Sequence, residues 1–223
     1  PSIDALASSL LNNPVRIAIQ SEPETALEIV QRAIEVDAAR RTQLLRHLVQ
    51  TEKWSRVLVF VATKHAAEIV ADKLRKADIN AEPFHGELSQ GKRTQVLMDF
   101  KASAVQVVVA TDVAARGLDI TALPVVVNYD LPRSAIDYTH RIGRTGRAGL
   151  SGMAISFISA DTDAHFRLIE KRHAINVQRE QVAGFEPVEV APVNAADPQG
   201  TGGVKGKRPS KKDKLRAAAD DSQ

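Results

Sequence analysis

The chain has 223 residues, 43% hydrophobic and 26% charged, which suits one globular domain with extensions. With no cysteine it excludes disulfide staples and thiolate metal sites, its six histidines show no ligand spacing, and no apolar run reaches the ~18 residues of a membrane helix. Of its 30 Lys and Arg and 27 Asp and Glu, seven and four fall in residues 194–223, which leaves 23 of each in the body, so the whole net charge of +3 lies in the tail.

In chain order, residues 3–11 (IDALASSLL) predict a helix and residues 13–20 (NPVRIAIQ) an extended segment. Residues 27–36 (LEIVQRAIEV) fit helix or strand; their partial apolar alternation favours a strand. Asp37 is placed to cap a helix over 38–50. RVLVFVA (56–62) is the near-continuous apolar run of a strand covered on both faces. Thr63 then caps a helix over 64–77, in which Ala66, Ile69, Val70, Leu74 and Ala77 recur at helical spacing. A short strand at 81–85 leads to Ser89, the cap of a helix over 90–102. VQVVVA (105–110) and PVVVNYD (124–130) are buried strands, Ser134 caps a helix over 134–145, GMAISFIS (152–159) is a further strand and 161–173 a last helix. This β-α alternation predicts an α/β fold, a mostly parallel sheet with helices on both faces.

The pattern fades after Asn176. The expected organisation is an interdomain segment over 1–26, a domain over 27–176 and an extension over 177–223. The tail GTGGVKGKRPSKKDKLR has too little apolar surface to offset its ordering entropy and is expected to be disordered. Its lysines favour polyanions through counterion release, and a tail that merely solubilises is the equal alternative. A start at Pro1 rather than Met suggests a processed or cut chain, and with no signal-peptide pattern the expected compartment is the cytoplasm.

Three segments carry chemistry. In YTHRIGRTGRAG (138–149), Arg141, Arg144 and Arg147 recur every third residue among glycines 143, 146 and 149. On a helical turn Arg144 and Arg147 would share a face, and paired guanidiniums clamp a multiply charged oxyanion. Each glycine weakens a helix by ~1 kcal/mol, so a purely structural helix gains nothing from three; a solvated basic helix with a capping glycine would look similar. In VVVATDVAARGLDI (107–120), Thr111 and Asp112 follow a buried strand at the end where open α/β sheets bind ligands. Thr111 and the pair Arg116-Gly117 suit phosphate oxygens, and Asp119 suits a ribose hydroxyl or an arginine. A plain strand-turn with a capping Asp is the alternative. In HGELSQGKRTQVLMDFK (85–101), Gly86, Gly91 and Lys92 nearly spell a P-loop. Arg93 stands where Ser or Thr must hold Mg²⁺, and Glu87 would put negative charge into a phosphate cradle. The helix start with Arg93 is better suited to an external phosphate.

In this order the segments resemble the second, C-terminal RecA-like domain of DEAD-box ATP-dependent RNA helicases. VLVFVAT is similar to the family's motif IV, HGELSQ with Arg93 to motif IVa, ATDVAARGLDI to motif V, and HRIGRTGRAG to motif VI, with NYDLP (128–132) between the last two. The match covers 37–172, and the motif wording and basic tail resemble a bacterial RhlE-like branch. The fold implied is a RecA-like three-layer α/β/α sandwich.

The resemblance implies that Arg144 and Arg147 face the γ-phosphate of ATP, with its Mg²⁺, held by an N-terminal RecA-like domain of the same parent chain. His140 and Arg141 would link that site to RNA. Asp119 and Gly117 would border the nucleotide, and Thr63, Gly86, Arg93, Thr111 and Arg116 would hold the RNA backbone. Relatives often carry Asn where this chain has Ala62, so only backbone contacts are expected there. This chain alone is expected to hydrolyse no ATP. The rivals are a stand-alone RNA-binding module, for which deletion of 204–223 should flatten the salt dependence of binding, and a phosphate protein built on Lys92. The sequence leaves oligomeric state open.

Overall fold

A computed structural model describes residues 29–116, 120, 122–146 and 151–189. The expectations for 1–26 and for the basic tail lie outside these residues. The strands are β1 (Ile29–Glu35), β2 (Val57–Val61), β3 (Ala81–Phe84), β4 (Val107–Thr111), β5 (Val125–Asn128), β6 (Gly152–Ile158) and β7 (Arg179–Glu180). The helices are α1 (Arg41–Thr51), α2 (Lys64–Arg75), α3 (Gln90–Lys101), α4 (Asp112–Ala115), α5 (Ala135–Ile142) and α6 (Asp163–His173). The strands form one sheet in the order β3-β4-β2-β5-β6-β1-β7, and every pair is parallel.

Alternation along the strands sorts the core onto two faces. Val57, Val59 and Val61 of β2, with Val107 and Val109 of β4, pack against Leu44, Leu45 and Leu48 of α1 and Ala67, Val70 and Leu74 of α2. Leu58, Phe60 and Val108 point the other way, onto Val96 and Phe100 of α3. On the same side of β1 and β6, Ala33 and Ile158 meet Tyr138, Phe166 and Ile169 from α5 and α6. The result is the expected three-layer α/β/α sandwich.

The helix starts behave as their sequences predict at three places. Thr63 accepts from the Ala66 N–H, Ser89 from Lys92, and Ser134 from Asp137. Asp37 does not cap. A 3-10 turn over Ala38–Arg40 intervenes, and the buried Asp37 carboxylate instead accepts from the backbone N–H groups of Val188 and Glu189. The ordered fold therefore continues past 176. Val177 is buried, β7 pairs with Ala33 and Ile34 of β1, and Arg179 ion-pairs with Glu170 at 2.9 Å. The signal there is two strand residues and polar pairing, which hydrophobic periodicity cannot register. Among the described residues no helix is long and apolar enough to cross a membrane.

Candidate functional site

Parallel strands bring their carboxyl ends to one edge, and the three motif segments emerge there. Thr63 follows β2, Gly86 follows β3 and Thr111 ends β4, on three consecutive strands of the sheet. α5 lies beside them and reaches back with Arg141.

Arg141 organises the edge. Its side chain is buried and lies over the Phe60 ring, 4.8 Å from the centroid. Nε and Nη2 donate to the two oxygens of Asp112 at 2.7 and 2.8 Å, a bidentate pair. Nη1 donates to Asn128 Oδ1 at 3.1 Å and to the Asp130 carbonyl at 2.6 Å. The arginine thus joins the ends of β4 and β5 to α5, and it is a structural centre rather than an exposed phosphate ligand. A second arginine does similar work nearby: Arg41 pairs with Asp130 at 2.9 Å and donates to Ser159 Oγ at 2.7 Å. The other oxygen of Asp130 accepts from the Ala62 N–H at 2.8 Å. The backbone donor expected to be available at Ala62 is therefore already engaged.

The helix expected over 134–145 ends early. α5 stops at Ile142 with Gly143 as its cap, and Arg144 lies in the following turn. Packing explains the stop. Thr145 bridges Leu123 and its hydroxyl donates to the Leu123 carbonyl, while the Leu123 N–H donates to the Arg144 carbonyl at 3.0 Å. Gly146 has φ +64, and a Cβ there would lie 2.7 Å from Ile29 Cγ1. A Cβ on Gly152 would lie 2.0 Å from Thr145 Oγ1. These two glycines serve close backbone passage inside the fold.

Phe60, Asp112, Arg116, Asp137, His140, Arg141 and Arg144 line one narrow crevice at this edge. Residues of the Thr111–Arg116 turn and of the α5 segment thus share a wall. His140 is exposed and Arg144 half-buried. Arg116 ends α4 and pairs with Asp137 at 2.9 Å. The Ser134 hydroxyl, and behind it Arg116, hold the Asp137 carboxyl below the usual carboxylate range. Asp112 and Asp137 are each matched to a guanidinium, so their charge is compensated within the wall. Gly117, Asp119 and Arg147 lie outside the described residues.

At the β3 side, Gly86 is exposed, its φ is not left-handed, and a Cβ on it would meet nothing within 4 Å. The Thr63 hydroxyl accepts from the Ala66 N–H and keeps its own proton to donate outward. Thr111 makes no side-chain cap to α4. Arg93 is half-buried over the Phe84 ring at 5.4 Å, with its Nε buried and unmatched. Lys92 pairs with Glu82 at 3.0 Å, and Lys64 with Glu87. His85 is buried against Glu68 at 2.7 Å and ties this loop to α2. Arg41, Asp112, Asn128 and Asp130, joined through Arg141, were missed from the sequence as a connected set, as was the separate pair of His85 with Glu68. The acids and Asn128 sit at strand ends near arginines, which is a usable signal; the pairing of Arg41 with a residue 89 positions away has none.

A family profile described as Helicase conserved C-terminal domain matches residues 40–149. The chain is 41% identical over 167 residues to the ATP-dependent rRNA helicase RRP3 of Candida albicans, covering 74% of this chain and 31% of that relative. Among solved structures it is similar to the E. coli DEAD-box protein SrmB bound to regulator of ribonuclease activity A. There the identity is 37%, the TM-score 0.70, and coverage 74% of this chain and 98% of that one. It is also similar to S. cerevisiae Dbp5 bound to RNA and ADP BeF3, at 30% identity and TM-score 0.67, covering 80% of this chain and 48% of that one. The chain spans about a third of the length of the curated relatives it matches.

Proposed function

The chain belongs to the DEAD-box RNA helicase family as its C-terminal RecA-like domain, and on that premise we propose that it supplies the RNA grip and the arginine fingers of an ATP-dependent, cytoplasmic helicase. The observation that carries this is the shared wall: Arg116, His140, Arg141 and Arg144 line one crevice at the carboxyl ends of the strands. Arg144 and Arg147 act on the γ-phosphate of ATP held, with its Mg²⁺, by the N-terminal domain of the parent chain. Asp119 and Gly117 border the same nucleotide. The charge balance supports an anionic ligand, because Asp112 is covered on both oxygens by Arg141 and presents little uncompensated charge to phosphate.

RNA lies along the neighbouring strand ends. Thr63 and Gly86 follow β2 and β3 and Thr111 ends β4, strand ends that span roughly 10 Å at the ~4.8 Å spacing of adjacent strands. The Thr63 proton and the orphan N–H groups that start α2 are donors for a phosphate oxygen. Open space over Gly86 lets a sugar-phosphate backbone approach the main chain. Arg93, in the helix after β3, and Arg116, in the turn after β4, contribute charge. These contacts are to phosphate and sugar, so base preference is slight. Arg141, anchored to Asp112 beside Thr111 and three residues before Arg144, couples the RNA row to the nucleotide wall. Domain closure assembles the site, bends one strand and opens a short duplex; hydrolysis releases it.

The test is steady-state ATPase of the two-domain parent with saturating RNA. Arg144→Ala is expected to lower kcat by roughly 10³, the scale at which such fingers contribute, with a much smaller change in RNA affinity. A loss of less than tenfold would remove Arg144 from the reaction.

A further inference from the structure

We propose that the groove between α5 and α6 docks an acidic, aliphatic segment of a partner protein. The groove has a volume of about 750 Å³, within the range of built ligand sites. Ile136 and Leu168 line it from opposite helices and remain 68% and 62% exposed, over a floor that includes the buried Ile169. On α5, Ile136 and His140 are one turn apart. On α6, His165, Leu168 and Arg172 recur at helical spacing, so each helix turns one continuous stripe into the groove. Two aliphatic side chains left in water on facing stripes are the pattern of a helix-in-groove site.

The charge around the pair selects the partner. Arg133 and Arg172 border the groove, with His140, His165 and His173, and no carboxylate lines it among the described residues. The acids of α6 are committed elsewhere: Asp163 to Arg167 and Arg179, and Glu170 to Arg179. Asp137 of α5 turns to Arg116. His165 and His173 donate through Nε2 to the carbonyls of Pro132 and Ala135 at 2.7 and 2.8 Å, which fixes both imidazoles in the wall. Arg133 and Arg172 have no ion-pair partner among the described residues. An acidic segment would supply carboxylates to these guanidiniums and an aliphatic side chain to the space between Ile136 and Leu168. RNA is the poorer fit, since no Phe, Tyr or Trp lines the groove for base stacking and its centre is aliphatic. The inference does not depend on the role of Arg144.

The probe is a random 12-residue peptide library displayed on phage, selected on the 223-residue chain and depleted on its Leu168→Glu variant. Enriched peptides are expected to be net acidic with at least one Leu, Ile or Met. Added to isotope-labelled chain, they should shift the amides of residues 133–140 and 165–173 saturably. Ile136→Glu and Arg172→Glu, both surface changes, should each weaken binding tenfold or more. No enrichment, basic peptides, or shifts confined to other residues would overturn the proposal. So would movement of the same amides by a single-stranded RNA decamer, which makes the groove a nucleic-acid site, or on concentrating the chain alone, which makes a second copy the occupant.

Discussion

Replacing Arg141 with alanine strips the carboxyl edge of its central donor. The change removes a bidentate pair with Asp112, bonds to Asn128 Oδ1 and the Asp130 carbonyl, and the contact over Phe60. Asp112 is about one-third exposed and can rehydrate, so its loss is moderate. Asn128 is fully buried, and its oxygen would be left without a donor, at about 1–3 kcal/mol. Breaking a buried pair from one side costs about 3–5 kcal/mol, and the sum of these terms is bounded near 4 because they share one side chain. For a domain of this size that lowers Tm by roughly 8–16 °C. Urea unfolding of the chain, followed by the single tryptophan, the buried Trp54, measures it directly. Arg141→Lys should recover only part, since an ammonium cannot make the fork. A loss below 1 kcal/mol for the alanine variant would mean that α5 is a solvated basic helix, and would refute the coupling role given to Arg141.

Gly152→Ala should be among the costlier small changes in the fold. Its Cβ would lie 2.0 Å from Thr145 Oγ1 and 2.3 Å from the Gly146 nitrogen, so the backbone must move, at about 2 kcal/mol or more. Thermal unfolding checks it; a neutral result would mean the turn is not packed as described. Arg179 first, and the Val177 N–H after it, hold the Glu170 carboxyl below its usual range. A depressed carboxyl contributes stability above its unfolded pKa of about 4.3, lost as pH falls through the folded value. The advantage of wild type over Glu170→Gln, measured by urea unfolding, should therefore be largest near neutrality and shrink below about pH 4. An advantage independent of pH would contradict the ion pair.

Much of the frame is legible in the sequence because it rests on local rules. VLVFV and VQVVVA could only be strands covered on both faces, and Thr63, Ser89 and Ser134 cap where hydroxyl precedes a periodic run. Asp37 looked equally like a cap, yet its carboxylate serves residues 151 and 152 positions away, a partnership no local rule predicts. In the arginine-glycine segment the helix expected over 134–145 stops at Ile142. Helical periodicity alone would carry it to Thr145, while Leu123, Ile29 and Gly152 fix a turn after Ile142. The resemblance set Arg141 apart as a link to RNA, but nothing in its local sequence marks it as buried. Only the tertiary arrangement of Asp112, Asn128 and Asp130 makes it internal.

The most direct test is an experimental structure of the two-domain parent with RNA and a γ-phosphate mimic. The guanidiniums of Arg144 and Arg147 should lie at hydrogen-bond distance, about 2.7–2.9 Å, from the mimic, with RNA phosphates along Thr63, Gly86 and Thr111. Arginines turned to solvent while the mimic sits enclosed by the other domain alone would contradict it.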